Sequence, residues 1–208
     1  MKLRLLVWGT LTLISLGLLS CTPMLIKFYG LKEIKNVNEK TIVRYAKKFD
    51  IPTTDLFELD SSYYSFLFSK QTDENKAHIK NHYQPLQALY FNKAGQLQSF
   101  QINCYAGGFP NLKWERNDIM TSFPPKNQAP IDSLISLEQY LQLLRPLSQT
   151  PELKIDGYDF IVIVFWSRYM GRQSKRLIRI VQDNRALAAD KKVRILYANT
   201  DNVDRNNR

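Results

Sequence analysis

The sequence predicts a single α/β domain whose mixed central sheet carries helices on both faces, and three stretches support this. The run F-I-V-I-V-F from Phe160 to Phe165 is β-branched or aromatic at every position. A strand apolar on both sides belongs in the middle of a sheet covered on both sides. A helical stretch from Gly171 to Ala189 and a second apolar strand from Val193 to Ala198 follow it, and strand, helix and strand in that order make a right-handed βαβ unit. Upstream, L-Q-A-L-Y-F (Leu86 to Phe91) and L-Q-S-F-Q-I (Leu97 to Ile102) flank N-K-A-G, the pattern of a β-hairpin. A chain of 208 residues, 44% of them hydrophobic, supplies one domain with a real core and is too short to divide readily into two.

The remaining elements follow along the chain. In T-I-V-R-Y-A-K-K-F, Ile42, Val43, Ala46 and Phe49 share a helical face, so a helix runs from about Asn38 to Asp50, and Pro52 ends it. Leu56 to Leu59 reads as a short strand. Ser61 to Ser69 reads as a helix, started by an Asp60 or Ser61 cap. Gly107, Gly108 and four prolines make 105–131 an irregular loop, of a length that is usually functional or disordered. A helix from Ile135 to Leu144 stops before Pro146.

The N-terminus reads as an address. Met1-Lys2-Leu3-Arg4 is cationic and Leu5 to Ser20 apolar, the layout of a secretory signal over 1–20, with 21–36 a membrane-proximal linker and 37–208 the domain. The run ends in L-L-S-C, which resembles the lipobox of bacterial lipoproteins. That resemblance implies lipidation of Cys21, although Leu19 stands where a small or β-branched residue is usual. An uncleaved transmembrane anchor is the alternative, because Met24 to Tyr29 extends the apolar stretch to roughly the ~20 residues a bilayer needs. Pro23 and the Thr and Ser content favour the lipoprotein. Both readings place the domain outside the cytoplasm, at the bacterial cell envelope, with the bilayer as partner.

Composition and motifs exclude several classes. Lys and Arg number 29 against 19 Asp and Glu, which attracts anionic lipid or acidic ligands. The basic residues form no dense block and the aromatics no RNP-like spacing, so nucleic acid is not expected. His78 and His82 are four apart but have no third ligand in view, so they read as solvated, with no metal and no cofactor. No P-loop, G-x-S-x-G or internal repeat is present.

One stretch carries a more specific resemblance. F-W-S-R-Y-M-G-R-Q-S-K (Phe165 to Lys175) resembles the active-site turn of thioredoxins, with Met170 and Gln173 at the positions of the two cysteines. V-R-I-L-Y-A-N-T-D-N resembles the strand end that follows the redox helix, and P-L-Q-A-L-Y-F-N-K-A-G-Q-L the family's hairpin, with Pro85 at the cis-proline. T-I-V-R-Y-A-K-K-F-D-I resembles the family's next helix, and Ile135 to Leu144 its last. Because the hairpin precedes the βαβ unit here, the resemblance implies a circularly permuted thioredoxin-like fold, three-layered and mixed. A truncated or convergent α/β fold is the alternative.

The chemistry at this turn follows from residue type. Neither Met170 nor Gln173 ionises, so dithiol exchange is excluded there. Arg172, Lys175 and Arg176, with Arg168, crowd the start of a helix whose dipole disfavours cations. The functional reading is an anion site, and the plainer one a solvated basic stripe. With Cys21 lipidated, Cys104 is the remaining thiol; it is either a single-cysteine redox or peroxidatic residue or a cysteine packed at a strand end. Trp114, Phe109 and Phe123 either line a peptide groove or pin the loop to the core. The resulting expectation is a membrane-anchored, redox-inactive binding or scaffold module, with an envelope protein or anionic ligand as partner.

Overall fold

A computed structural model describes residues 30–108, 111–148 and 153–206. The proposed signal, Cys21, the first part of the linker and Phe109 lie outside the described residues. Helix α1 (Glu39–Lys48) is capped by Asn38, whose side chain accepts the Thr41 N–H at 3.0 Å, and Lys47 and Lys48 close it in keeping with the helix dipole. Strand β1 (Leu56–Leu59) leads to α2 (Tyr63–Lys70). There Asp60 accepts both the backbone N–H and the hydroxyl of Ser62, so the predicted helix forms. Next come α3 (Lys76–His82) and the hairpin β2 (Gln87–Asn92) and β3 (Leu97–Ile102). Asn92 holds the turn through the N–H groups of Ala94 and Gln96, and Gly95 supplies the positive φ of 72°.

A single turn, α4 (Asn103–Ala106), opens the long loop, which returns through α5 (Leu137–Gln142) and β4 (Leu144–Pro146). Then β5 (Phe160–Trp166), α6 (Gly171–Arg185), β6 (Val193–Asn199) and α7 (Asp201–Asn206) complete the fold.

The six strands form one mixed sheet in the order β3-β2-β5-β6-β1-β4. β5 runs parallel to β6 and lies inside the sheet, as predicted, and it pairs antiparallel with β2 on its other side. Alternation along β5 sends Val162, Val164 and Trp166 to one face, under α1 and α6, and Ile161, Ile163 and Phe165 to the other, with α2 and α5. This is the three-layer α/β architecture, and its strand order is compatible with a thioredoxin-like fold. Parallel strands with covered faces explain why β5 reads as one continuous apolar run.

Two expectations are corrected, for the Ile135 to Leu144 helix and for His82. The Ile135 to Leu144 helix is shorter at both ends. Ser136 and Gln139 form a capping box that starts it at Leu137, and Leu144 pairs instead with Leu59 as an edge strand that tolerates Pro146. Of the two readings of the long loop, pinning to the core is the one that holds at Trp114, which is 1% exposed, and Asn184 donates to the carbonyls of Met120 and Ser122. His82 is not solvated. It is 1% exposed, with Nδ1 2.7 Å from the Tyr140 hydroxyl and Nε2 3.0 Å from Asp132. Among the described residues no helix is long and apolar enough to cross a membrane, and no group of three or more metal-ligating side chains occurs.

Candidate functional site

The turn joining β5 to α6 stands at the C-terminal end of the parallel strands, and its backbone is locked from within. Ser174 accepts the Ser167 N–H at 3.1 Å and donates to the Ser167 carbonyl at 2.7 Å, while the Ser167 hydroxyl accepts the Met170 N–H. Asp201, at the start of α7, accepts the N–H groups of Arg168 at 2.6 Å and Tyr169 at 3.2 Å, and the Asn199 amide at 2.9 Å. Burial pushes the Asp201 carboxyl above its ordinary range, and these hydrogen bonds and Arg168 work against that shift.

The predicted anion cluster therefore divides. Arg168 is 6% exposed and turns inward, its Nε 4.0 Å from Asp201 and its guanidinium donating to the Glu33 carbonyl. It serves as the counter-ion of a buried carboxylate. Arg172 and Lys175 are exposed on α6 and Arg176 is half-buried, so the four side chains do not converge on one point.

The two positions that the resemblance assigns to thiols are closed. Met170 is 8% exposed and belongs to the core under α6. Gln173 is fully buried, and its Oε1 accepts the Leu112 N–H at 3.2 Å, which ties the long loop to the helix. The N-terminal segment covers the turn from the other side. The Lys32 N–H donates to the Tyr169 carbonyl at 2.8 Å. Gly171, with φ of 45°, lies so close to Gly30 that any side chain would drive its Cβ into the Gly30 carbonyl. Val37 and Asn202 exchange two hydrogen bonds, at 2.8 and 3.0 Å. Residues 30–37, part of which reads in sequence as linker, thus form a strap over the turn.

Pro85 lies at the same end of the sheet, two residues before the Gln87–Phe165 pair. Its peptide bond is trans. The one cis bond among the described residues is Phe123–Pro124, so the cis-proline implied by the resemblance is not at Pro85. Cys104 is exposed just after β3, with Sγ donating to Gln84 Oε1 at 2.9 Å and the Asn103 amide 3.8 Å away. Both contacts are amides, and neither is a base that could take up the thiol proton.

Sequence reasoning missed the buried couple on the opposite face. His82 sits between Tyr140 and Asp132, while His78 Nδ1 stands 3.8 Å from the same carboxylate. Burial opposes the Asp132 charge. The His82 hydrogen bond and charge, with the Leu134 N–H and His78, outweigh it and hold the carboxyl below its ordinary range. The i, i+4 spacing of the histidines is visible in sequence, but the acid that pairs with them lies 50 residues beyond His82. Comparison with protein-family models, with characterised proteins and with solved structures finds no match to this chain.

Proposed function

We propose that the chain is a membrane-anchored extracytoplasmic lipoprotein whose thioredoxin-like, circularly permuted domain performs no dithiol chemistry and acts as a binding or scaffold module. The observation that carries the reading is the closure of the turn. Met170 and Gln173 are buried, neither is a thiol, and the strap and Leu112 occupy both approaches. A dithiol enzyme needs an accessible thiolate at a helix N-terminus, and this turn presents neither the group nor the access. The strand order, with hairpin before βαβ unit, supports the permuted relationship. The L-L-S-C motif, which resembles a lipobox ending at Cys21, supports the tether.

The single-cysteine alternative has weaker support. Cys104 is exposed, but its hydrogen-bond contacts are Gln84 and Asn103, which supply no base. Metabolic labelling with a fatty-acid analogue tests the tether: the parent chain incorporates label and Cys21→Ser does not. A parent chain that takes up no label, or equal labelling of both, contradicts the lipoprotein reading.

A further inference from the structure

We propose that a basic cluster built around Tyr45 docks this domain against an anionic phospholipid surface, a contact that rests on the N-terminal tether proposed above. Three cations from two segments surround one ring. Lys32 Nζ, on the strap, lies 4.4 Å from the ring centroid and donates to the Tyr45 hydroxyl at 2.7 Å. From α1, Arg44 stands 5.6 Å and Lys48 5.3 Å from the same centroid. All three cations are exposed, and among the described residues none of them has a carboxylate within ion-pair distance. Arg172 packs against Gly30, two residues before Lys32.

Like charges gathered on one ring repel each other, and a cation–π contact at an exposed site offsets this only in part. The positive potential acts on Tyr45 itself. Its hydroxyl is held below the ordinary tyrosine range, first by the Lys32 hydrogen bond and then by the charges of Lys32, Arg168 and Lys48. A negative surface would remove the repulsion.

Position decides which surface. Lys32 lies on the strap, the segment through which the chain arrives from its apolar N-terminal region, and Arg44 and Lys48 lie on the helix that follows it. Cys21 and Lys32 are eleven residue steps apart, at most about 40 Å even when fully extended. A tethered domain therefore keeps Lys32 within reach of headgroups, and each Lys or Arg brought to an anionic leaflet strengthens binding by about fivefold. Exposed cation heads spread round one ring from two segments suit a plane of laterally mobile phosphates.

The full chain is added to vesicles of phosphatidylcholine alone, or of equal parts phosphatidylcholine and phosphatidylglycerol. Flotation is scored, and acetylation rates of Lys32, Lys48 and Lys93 are read by mass spectrometry. Lys93, in the hairpin turn at the opposite end of the sheet, is the internal reference. The proposal expects flotation with both vesicles, and slower acetylation of Lys32 and Lys48, by at least about threefold, on the anionic ones only. High salt and Arg44→Glu both reverse the protection, while Lys93 is unaffected. Flotation with both vesicles and equal Lys32 and Lys48 rates on both overturns the docking surface, leaves the tether standing, and points to an acidic protein as the partner of this face. Flotation with anionic vesicles alone, reversed by salt, supports the docking surface and contradicts the tether. Flotation with neither overturns both.

Discussion

Asp201 holds Arg168 twice. One carboxylate oxygen takes the Arg168 backbone N–H at 2.6 Å, and the other faces the Arg168 guanidinium at 4.0 Å. The residue that opens α7 thereby fixes the turn that opens α6, from the adjacent strand. A buried carboxylate is tolerable there because three N–H donors and one cation surround it.

Removing that carboxylate strands the cation. Asp201→Ala is expected to cost about 3–5 kcal/mol in urea unfolding, and Asp201→Asn, which keeps an acceptor, distinctly less. The pH dependence has a defined sign. A carboxyl raised in the folded state binds its proton more tightly there than in the unfolded chain, so its contribution to stability falls as pH rises from the ordinary value of 3.8 through the raised one. Asp201→Asn removes that limb from a stability–pH profile.

Asp132 has the opposite sign. Its carboxyl is lowered in the folded state, so the stability it contributes is present above the ordinary value of 3.8 and is lost as pH falls through the lowered one. Asp132→Asn should flatten the acid limb between those values. His82→Ala should destabilise by about 2–4 kcal/mol, since it takes a buried hydrogen-bond partner from both Tyr140 and Asp132. An unchanged acid limb in Asp132→Asn contradicts the assignment.

Gly171 tests the strap. Gly171→Ala should destabilise by about 2–3 kcal/mol, because it combines a positive φ with a clash against Gly30. Limited proteolysis within 30–37 should accelerate in the variant more than cleavage elsewhere. Uniform acceleration would mean that the strap is not what Gly171 secures.

Met170→Cys with Gln173→Cys tests access. A thiol reagent is expected to modify Cys104 first and the introduced thiols at least about tenfold more slowly, at the rate at which the strap and the 111–113 loop open. Equal rates would show the turn to be open.

Much of the frame was legible because β5 alternates two apolar sets, Val162 and Val164 against Ile161 and Ile163, and the hairpin carries its own turn chemistry in Asn92 and Gly95. Strand β4 was hidden. Leu144 continues the helical apolar pattern, and only pairing with Leu59 makes it a strand. The site divided for a similar reason. Arg168 and Arg172 look equivalent in sequence, yet Asp201, 33 residues after Arg168, draws one inward while the other stays at the surface. His82 was misread because burial of a polar residue depends on a distant partner that local pattern does not reveal.

The measurement that bears most directly on the central claim is reduction of insulin disulfides by the full chain in the presence of dithiothreitol. The expected rate equals that of dithiothreitol alone, for the parent and for Cys104→Ser alike, because the turn has no thiol and the hydrogen-bond contacts of Cys104, Gln84 and Asn103, supply no base. Catalysed reduction by the parent that disappears in Cys104→Ser would contradict it, and would make the chain a single-cysteine redox protein.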